Sequence, residues 1–290
     1  MREELDISVI TVTWNSADLI ARQIQSVETG AAGLRFEQII ADNDSKDNTV
    51  SLIQKSFPSV KILSMGTNAG FGAANNAGAQ KSVGEFLLFL NPDMRVQPGS
   101  LKTMIDWMRA NPTIGLASCK LIDESGAINT EAMPRRFPRL ADQIALVFKI
   151  PHLFPSVLNA YLYHGFNPDK EQTVESVRGA FMLMRREVYT KLGFAFDPRY
   201  FFWFEDVDTC REVWRLGLKV VYTPIISCVD YVGQSFKKRT TVWKQMQFTQ
   251  SMLTYFKKWE PWYVWIWIAA ARPFGIALAW LHDRLALDKK

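Results

Sequence analysis

The sequence predicts an α/β protein with a mostly parallel sheet flanked by helices, and three observations predict it. Short apolar runs alternate with amphipathic segments roughly every 25 to 30 residues through the first 125 positions. The runs are continuous and rich in Val, Ile and Leu, as in strands buried on both faces of a parallel sheet. The unusual polar residues fall where the runs stop, and in such sheets ligands bind beyond the carboxyl ends of the strands.

Each element has its own signal. "ISVITVTW" is the first strand, followed by "NSADLIARQIQSV", a helix that Asn15 or Ser16 can cap, with Leu19, Ile20, Ile24 and Val27 on one side. "FEQIIADND" and "SKDNTVSLIQKSF" repeat the pair, with Val50, Ile53 and Phe57 facing inward. "VKILSM" is the third strand, and "NAGFGAANNAGAQ" a turn entering a small-residue helix. "EFLLFLNPD" is the fourth strand, "GSLKTMIDWMRAN" a helix with Leu101, Met104, Ile105 and Met108 on one face, and "IGLASCKLI" the fifth strand. From about 126 to 176 five prolines loosen the pattern around one amphipathic helix near 139 to 150. "ESVRGAFMLMRREVYTKLG" then reads as strand into helix. "FFWFEDVDTCREVWRLG" reads as an acidic-started helix ending at Gly217, and "LKVVYTPIISCVDYVGQS" as a strand and polar turn. The division expected is a body of residues 1–236, in halves 1–125 and 126–236, and a helical aromatic extension of residues 237–290.

Composition narrows the function. Apolar residues make up 48% and charged residues 22%, ordinary for a chain with a proper core. Of the net charge of +5, residues 231–290 carry ten Lys/Arg against three Asp/Glu and six of the ten tryptophans. Basic residues mixed with Trp point to a membrane surface rather than nucleic acid. The segment "WEPWYVWIWIAAARPFGIALAWLHDRL" has apolar runs of about ten residues on either side of Arg272-Pro273. A span needs about 20 uninterrupted apolar residues, so the expectation is helices lying in the interface through residues 257–290. The alternative is packing on the body or on a second subunit in a homo-oligomer. Cys119, Cys210 and Cys228 form no CxxC pair, which argues against a disulfide framework or structural zinc. "MREELDISVI" has no long apolar stretch, so no signal peptide is expected and the body should face the cytoplasm, peripheral on the inner face of the cell membrane.

Several residues suit chemistry, each with a plainer reading beside it. Asp93, delivered by a strand that Pro92 stops, suits a divalent cation, although Asn-Pro-Asp also starts turns. Asp42 closes the second strand, where an acid can accept hydrogen bonds from a nucleoside, or simply cap "DNDSKDNT". The glycines of "NAGFGAANNAG" let backbone approach a ligand, but the segment is neither a Walker loop nor GxGxxG after strand one. Glu205 and Asp206 start a helix behind the aromatic wall Phe202, Trp203 and Phe204, suiting a general base or mere N-terminal capping. No GxSxG elbow or histidine motif supports hydrolysis, and "TWNS" after strand one disfavours a methyltransferase.

In this order and spacing, "VITVTWNSADLI", "ADNDSKDNTV", "NAGFGAANNAGA", "GEFLLFLNPDM", "RGAFMLMRREVYTKLGFAFD" and "FFWFEDVDTCREVWRLGLKVVYTP" resemble glycosyltransferase family 2, GT-A fold, in its bacterial rhamnosyltransferase-like branch. The likeness runs from about residue 7 to 236. It implies inverting transfer of a sugar from a dTDP- or UDP-sugar donor to a hydroxyl on a polyprenyl-linked or surface glycan. By resemblance, Asp42 meets the nucleobase with Thr13, Asn15 and Asn68 nearby, and Asn91 stands for the first acid of a DxD-like motif. Asp93 holds Mg²⁺ or Mn²⁺, Asp206 deprotonates the acceptor, and Glu205, Trp203 and Gly179 lie beside the acceptor. Relatives carry a histidine in a late "HxxGxS" stretch; here "DYVGQS" puts Asp230 there, a substitute oxygen ligand or a sign of weakened metal binding. A GT-A-like scaffold anchoring partners at the membrane is the non-enzymatic alternative.

Overall fold

The computed structural model describes residues 5–231 and 240–287, with side chains to residue 284. The boundary expected at 236/237, the Gly233-Gln234-Ser235 stretch, and Lys289 and Lys290 lie outside the described residues. One mixed sheet of nine strands organises the body. Strands β1 (Ile7–Thr13), β2 (Phe36–Asp42), β3 (Lys61–Ser64) and β4 (Phe86–Leu90) form a parallel half in the order β3-β2-β1-β4. Beyond β4 the order continues β8-β6-β9-β5, where β8 is Phe181–Arg185, β6 Ile114–Ile122, β9 Lys219–Asp230 and β5 Met94–Val96. Strand β8 is antiparallel to both its neighbours, β6 and β9 run parallel, and the short β5 and β7 (Gln172–Thr173) add antiparallel to β9.

Apolar runs on these strands feed a layer on each face. In β4, Phe86, Leu88 and Leu90 pack toward one layer, while Leu87 and Phe89 enter the other, and none is more than 2% exposed. Helix α1 (Ala17–Gly30) contributes Val27 to the first layer, and α4 (Ser100–Ala110) contributes Leu101, Met104, Ile105 and Met108. The second is covered by α3 (Phe71–Lys81), α6 (Arg186–Leu192) and α7 (Glu205–Arg215), through Ala79, Val188, Cys210 and Val213. Fully burying one such Leu, Ile or Phe side chain stabilises by about 1.5–3 kcal/mol. Helix α2 (Thr49–Ser56) closes a smaller cluster of Ile53, Ile20, Ile24 and Ile40.

The prolyl excursion contains the expected helix, α5 (Leu140–Val147). The C-terminal part differs from expectation in two ways. Helix α8 (Thr241–Trp259) and α9 (Trp262–Leu287) share a third apolar cluster with the body, joining Met252, Tyr255, Phe256 and Ile268 to Val147, Tyr200 and Phe204. And α9 is one 26-residue helix running through Pro273, rather than two helices broken at Arg272-Pro273. The charge does not interrupt it, because Arg272 Nε donates to Thr249 Oγ1 of α8 at 3.3 Å. Residues Trp262–Arg284 are long and apolar enough to cross a membrane by length and composition alone.

The extension is locked to α7 by charge as well as by packing. Lys258 Nζ lies 2.6 Å from Asp208, 2.8 Å from Glu212 and 3.0 Å from Asp197, and Trp259 Nε1 donates to Asp208 Oδ1 at 2.6 Å. A buried carboxylate such as Asp208 is tolerable only with partners of this kind.

Candidate active site

The strand ends and the start of α7 enclose a cleft of about 680 Å³. Asn68, Asn91, Asp93, Gly179, Trp203, Glu205, Asp206 and Asp230 all line it. Eight of the eleven residues singled out from sequence thus meet around one space, from positions far apart in the chain.

Asp93 and Asp230 are brought together by β5, a three-residue strand that leaves no periodic signal in the sequence. Its pairing sets Met94 opposite Asp230, and the Asp93 carbonyl accepts from Tyr231 N–H at 3.1 Å. Burial, and then the charge of Asp230, push the Asp93 carboxyl up to about 6. Asp230, only 8% exposed, accepts from Asn129 Nδ2 at 2.9 Å. Among the described residues no three His, Cys, Asp or Glu side chains cluster as a closed metal cage. Two carboxylates open to a cleft have the chemistry that suits a hard cation taking its other ligands from phosphate and water.

Asp206 is held from two sides. Its Oδ2 accepts from Gly179 N–H at 3.0 Å and its Oδ1 from Val207 N–H at 2.8 Å. The chain reaches α7 through Trp203 and Phe204, both left-handed at φ 66° and 69°. That conformation costs roughly 1–3 kcal/mol per non-glycine residue and persists only where surroundings impose it. Here α8 imposes it: Ser251 Oγ donates to the Phe202 carbonyl at 2.7 Å, and Phe248 packs on both Trp203 and Phe204. Phe248 and Trp243 of α8 also line the cleft, so the extension is part of its wall.

Glu205 is buried beside Asp206, with no hydrogen-bond partner for Oε2 among the described residues. Burial first, then the Asp206 charge, push its carboxyl up to about 8, so it is a neutral acid at pH 7. The native state then holds a proton that the unfolded chain gives up from about pH 4.5 upward. This contribution to stability is complete below that pH and is lost as pH rises through 8. Glu205→Gln, which mimics the neutral acid, is expected to gain in Tm over the parent progressively from pH 5 to 8.5. A difference in Tm that stays flat across this range would contradict the assignment.

The residues expected to meet the nucleotide sugar sit differently. Thr13, Asn15 and Asp42 adjoin the cleft without lining it. The Asp42 carboxylate accepts from Thr13 Oγ1 (2.8 Å), Ser45 Oγ (2.6 Å) and Ser45 N–H (2.9 Å), so it caps its own turn. Asn15 ties the first loop to the second by accepting from Lys46 N–H at 2.7 Å. Trp14, Asn43 and Asn68 face the space instead. The glycine-rich segment serves the fold as well as the cleft, which Gly70 lines. Gly70, at φ +90°, makes room for this chain's own backbone: a Cβ there would collide with the Phe201 carbonyl, which accepts from Phe71 N–H. Sequence reasoning also missed Arg135, Arg178 and Tyr161, cleft residues from the excursion and its exit. "VRGAF" was the available signal for Arg178, one residue before the glycine already singled out.

Comparison with known proteins agrees with this architecture. The family model of Glycosyl transferase family 2 matches residues 8–193. The N-acetylglucosaminyl-diphospho-decaprenol L-rhamnosyltransferase of Mycobacterium tuberculosis is 27% identical over 242 residues, 79% of this chain and 77% of that protein. Rhamnosyltransferase WbbL of Escherichia coli is 24% identical over 248 residues, 82% and 89% of the two chains. Among solved structures, the mannosyltransferase PcManGT of Pyrobaculum calidifontis, in complex with GDP-Man and Mn²⁺, superposes with a TM-score of 0.60 at 17% identity. It covers all of this chain and 77% of that one. S. aureus TarS 1–349 with UDP-GlcNAc gives 0.58 at 16% identity, covering 86% and 65%.

Proposed function

The chain belongs to glycosyl transferase family 2, and from that premise we propose that it transfers rhamnose, from dTDP-rhamnose, to a sugar hydroxyl on a polyprenyl-diphosphate carrier, with inversion. One observation carries the reading: a carboxylate pair drawn from both halves of the chain and a separately held carboxylate face the same cleft. The rhamnosyltransferase relatives support the sugar, and the name of the mycobacterial one supports the carrier.

Asp93 and Asp230 would hold Mg²⁺ or Mn²⁺, which when bound neutralises charge on the leaving diphosphate as a Lewis acid. Asp206 takes the proton of the acceptor hydroxyl as its oxygen bonds to the anomeric carbon. The bond from that carbon to the phosphate oxygen breaks on the far side, and its electron pair leaves with the diphosphate. The Gly179 and Val207 N–H groups fix the Asp206 carboxylate, and Trp203 supplies an apolar face for a sugar ring. The nucleoside lies toward Trp14, Asn43 and Asn68, with Thr13, Asn15 and Asp42 shaping the loops around it. Direct contact of Asp42 with the base would require it to release Ser45. Exposed Trp262, Tyr263, Trp267, Phe274 and Trp280 on α9 suit peripheral contact with the inner face of the membrane.

The test is incubation of the full chain and Mg²⁺ with dTDP-rhamnose, UDP-GlcNAc, UDP-galactose and GDP-mannose, with and without a short polyprenyl-diphospho-GlcNAc. Transfer from dTDP-rhamnose to that acceptor is expected. Absence of both transfer and slow hydrolysis with every donor would sink the reading.

A further inference from the structure

Two cationic side chains in the cleft have no assigned task. Arg135 and Arg178 both line it, beside Gly179 and Asp206. The backbone brings them together: residues 135 and 176 exchange hydrogen bonds in an antiparallel bridge, each 3.1 Å. Arg135 is positioned rigidly, with Nη2 donating to the Glu131 carbonyl at 3.2 Å and the guanidinium 5.8 Å from the centre of the Tyr161 ring. Among the described residues neither guanidinium forms a salt bridge, and Arg178 makes no side-chain hydrogen bond. Two neighbouring cations that share the one Asp206 carboxylate as countercharge keep an excess of positive charge, which is costly when partly withdrawn from water unless an anion joins them.

We infer that Arg135 and Arg178 form an anion subsite that takes the phosphate groups joining the acceptor sugar to its lipid carrier. This rests on the function proposed above, which requires such an acceptor. The place of the pair favours acceptor over donor. Arg178 directly precedes Gly179, whose N–H donates to Asp206 Oδ2 at 3.0 Å, whereas Asp93 is set against Asp230 by the β5–β9 pairing. The cleft therefore has two separate places for phosphate, one at the carboxylate pair and one beside the base. Guanidinium groups suit the second, because their forked donors match phosphate oxygens without a metal. A diphosphate held there sets the carrier on the side where the sugar hydroxyl must meet Asp206.

Equilibrium binding to the full chain in EDTA tests this, with farnesyl diphosphate as probe and farnesol as its uncharged control. The diphosphate should bind at least tenfold more tightly than farnesol. Arg178→Gln and Arg135→Gln should each weaken it by roughly tenfold while farnesol binding holds. Arg178→Lys should recover part of the loss. In Mg²⁺, dTDP binding should stay within twofold in both glutamine variants. Weakening of dTDP to the same extent would assign the pair to the donor and overturn the proposal, as would equal affinity for farnesyl diphosphate and farnesol. Should Arg135→Gln not fold, Arg178→Gln decides, since Arg178 makes no side-chain bond to lose. No sugar transfer enters these measurements, so a chain inactive on every donor would sink the proposed function and leave this result standing.

Discussion

Asp206→Asn is expected to lower kcat by about 10²–10⁴, the range that removal of a positioned general base costs. Donor affinity should change little, because the residue is not one of the Asp93–Asp230 pair proposed to hold the cation. Asparagine is close in shape but cannot replace the carboxylate in place. Both Asp206 oxygens accept backbone N–H groups, from Val207 and Gly179. The amide has one oxygen, so its NH₂ must face one of these donors. The variant therefore loses the proton acceptor together with one of the two bonds that aim it. Steady-state rates with titration of dTDP-rhamnose give the answer. A variant that keeps a tenth or more of the parent rate would remove Asp206 from the role of base.

The second large effect belongs to Asp93→Ala. Turnover should fall by about 10²–10³ or more, the loss typical when one element of electrostatic stabilisation is removed from a leaving group. Two measurements besides turnover separate this from simple damage. In the parent, Mg²⁺ should raise Tm, by mass action on the native state; in the variant it should not. Without metal the variant should be no less stable than the parent, because it removes the burial of the carboxyl and its repulsion with Asp230, which together raise Asp93 to about 6. The pH dependence follows in sign. Below about 6 the proton occupies Asp93 and competes with the cation, so Mg²⁺ affinity should fall as pH drops through that value. An Mg²⁺-induced rise in Tm that survives the substitution would exclude Asp93 as a ligand.

The parallel half of the sheet was legible because its strands are long, apolar and separated by helices of clear period. The orientation of β8 was not, since "AFMLM" reads the same in either direction. β5 was hidden by its length, yet it alone sets Asp93 against Asp230. Pro273 misled because a proline in a helix interior normally breaks it, while here α8 and α9 pack along their length and Arg272 is satisfied from α8. Among site residues, the acids at strand ends were readable from the abrupt change from apolar to polar. The contacts that occupy Asp42 were not, because they depend on loops meeting in space. Arg135 and Arg178 were invisible for the same reason: a lone arginine in a prolyl loop has no pattern until the fold supplies its neighbour.

The clasp between Lys258 and the acids of α7 means that this protein has no detachable tail. A shortened version ending where the sheet ends, made to improve solubility, would strip Trp243 and Phe248 from the catalytic chamber. It would also free the backbone turn that presents Asp206, and leave Asp208 buried without its counterion. Chimeras that exchange C-terminal segments between enzymes of this kind face the same obstacle: α7, α8 and the contacts between them must travel as one cassette.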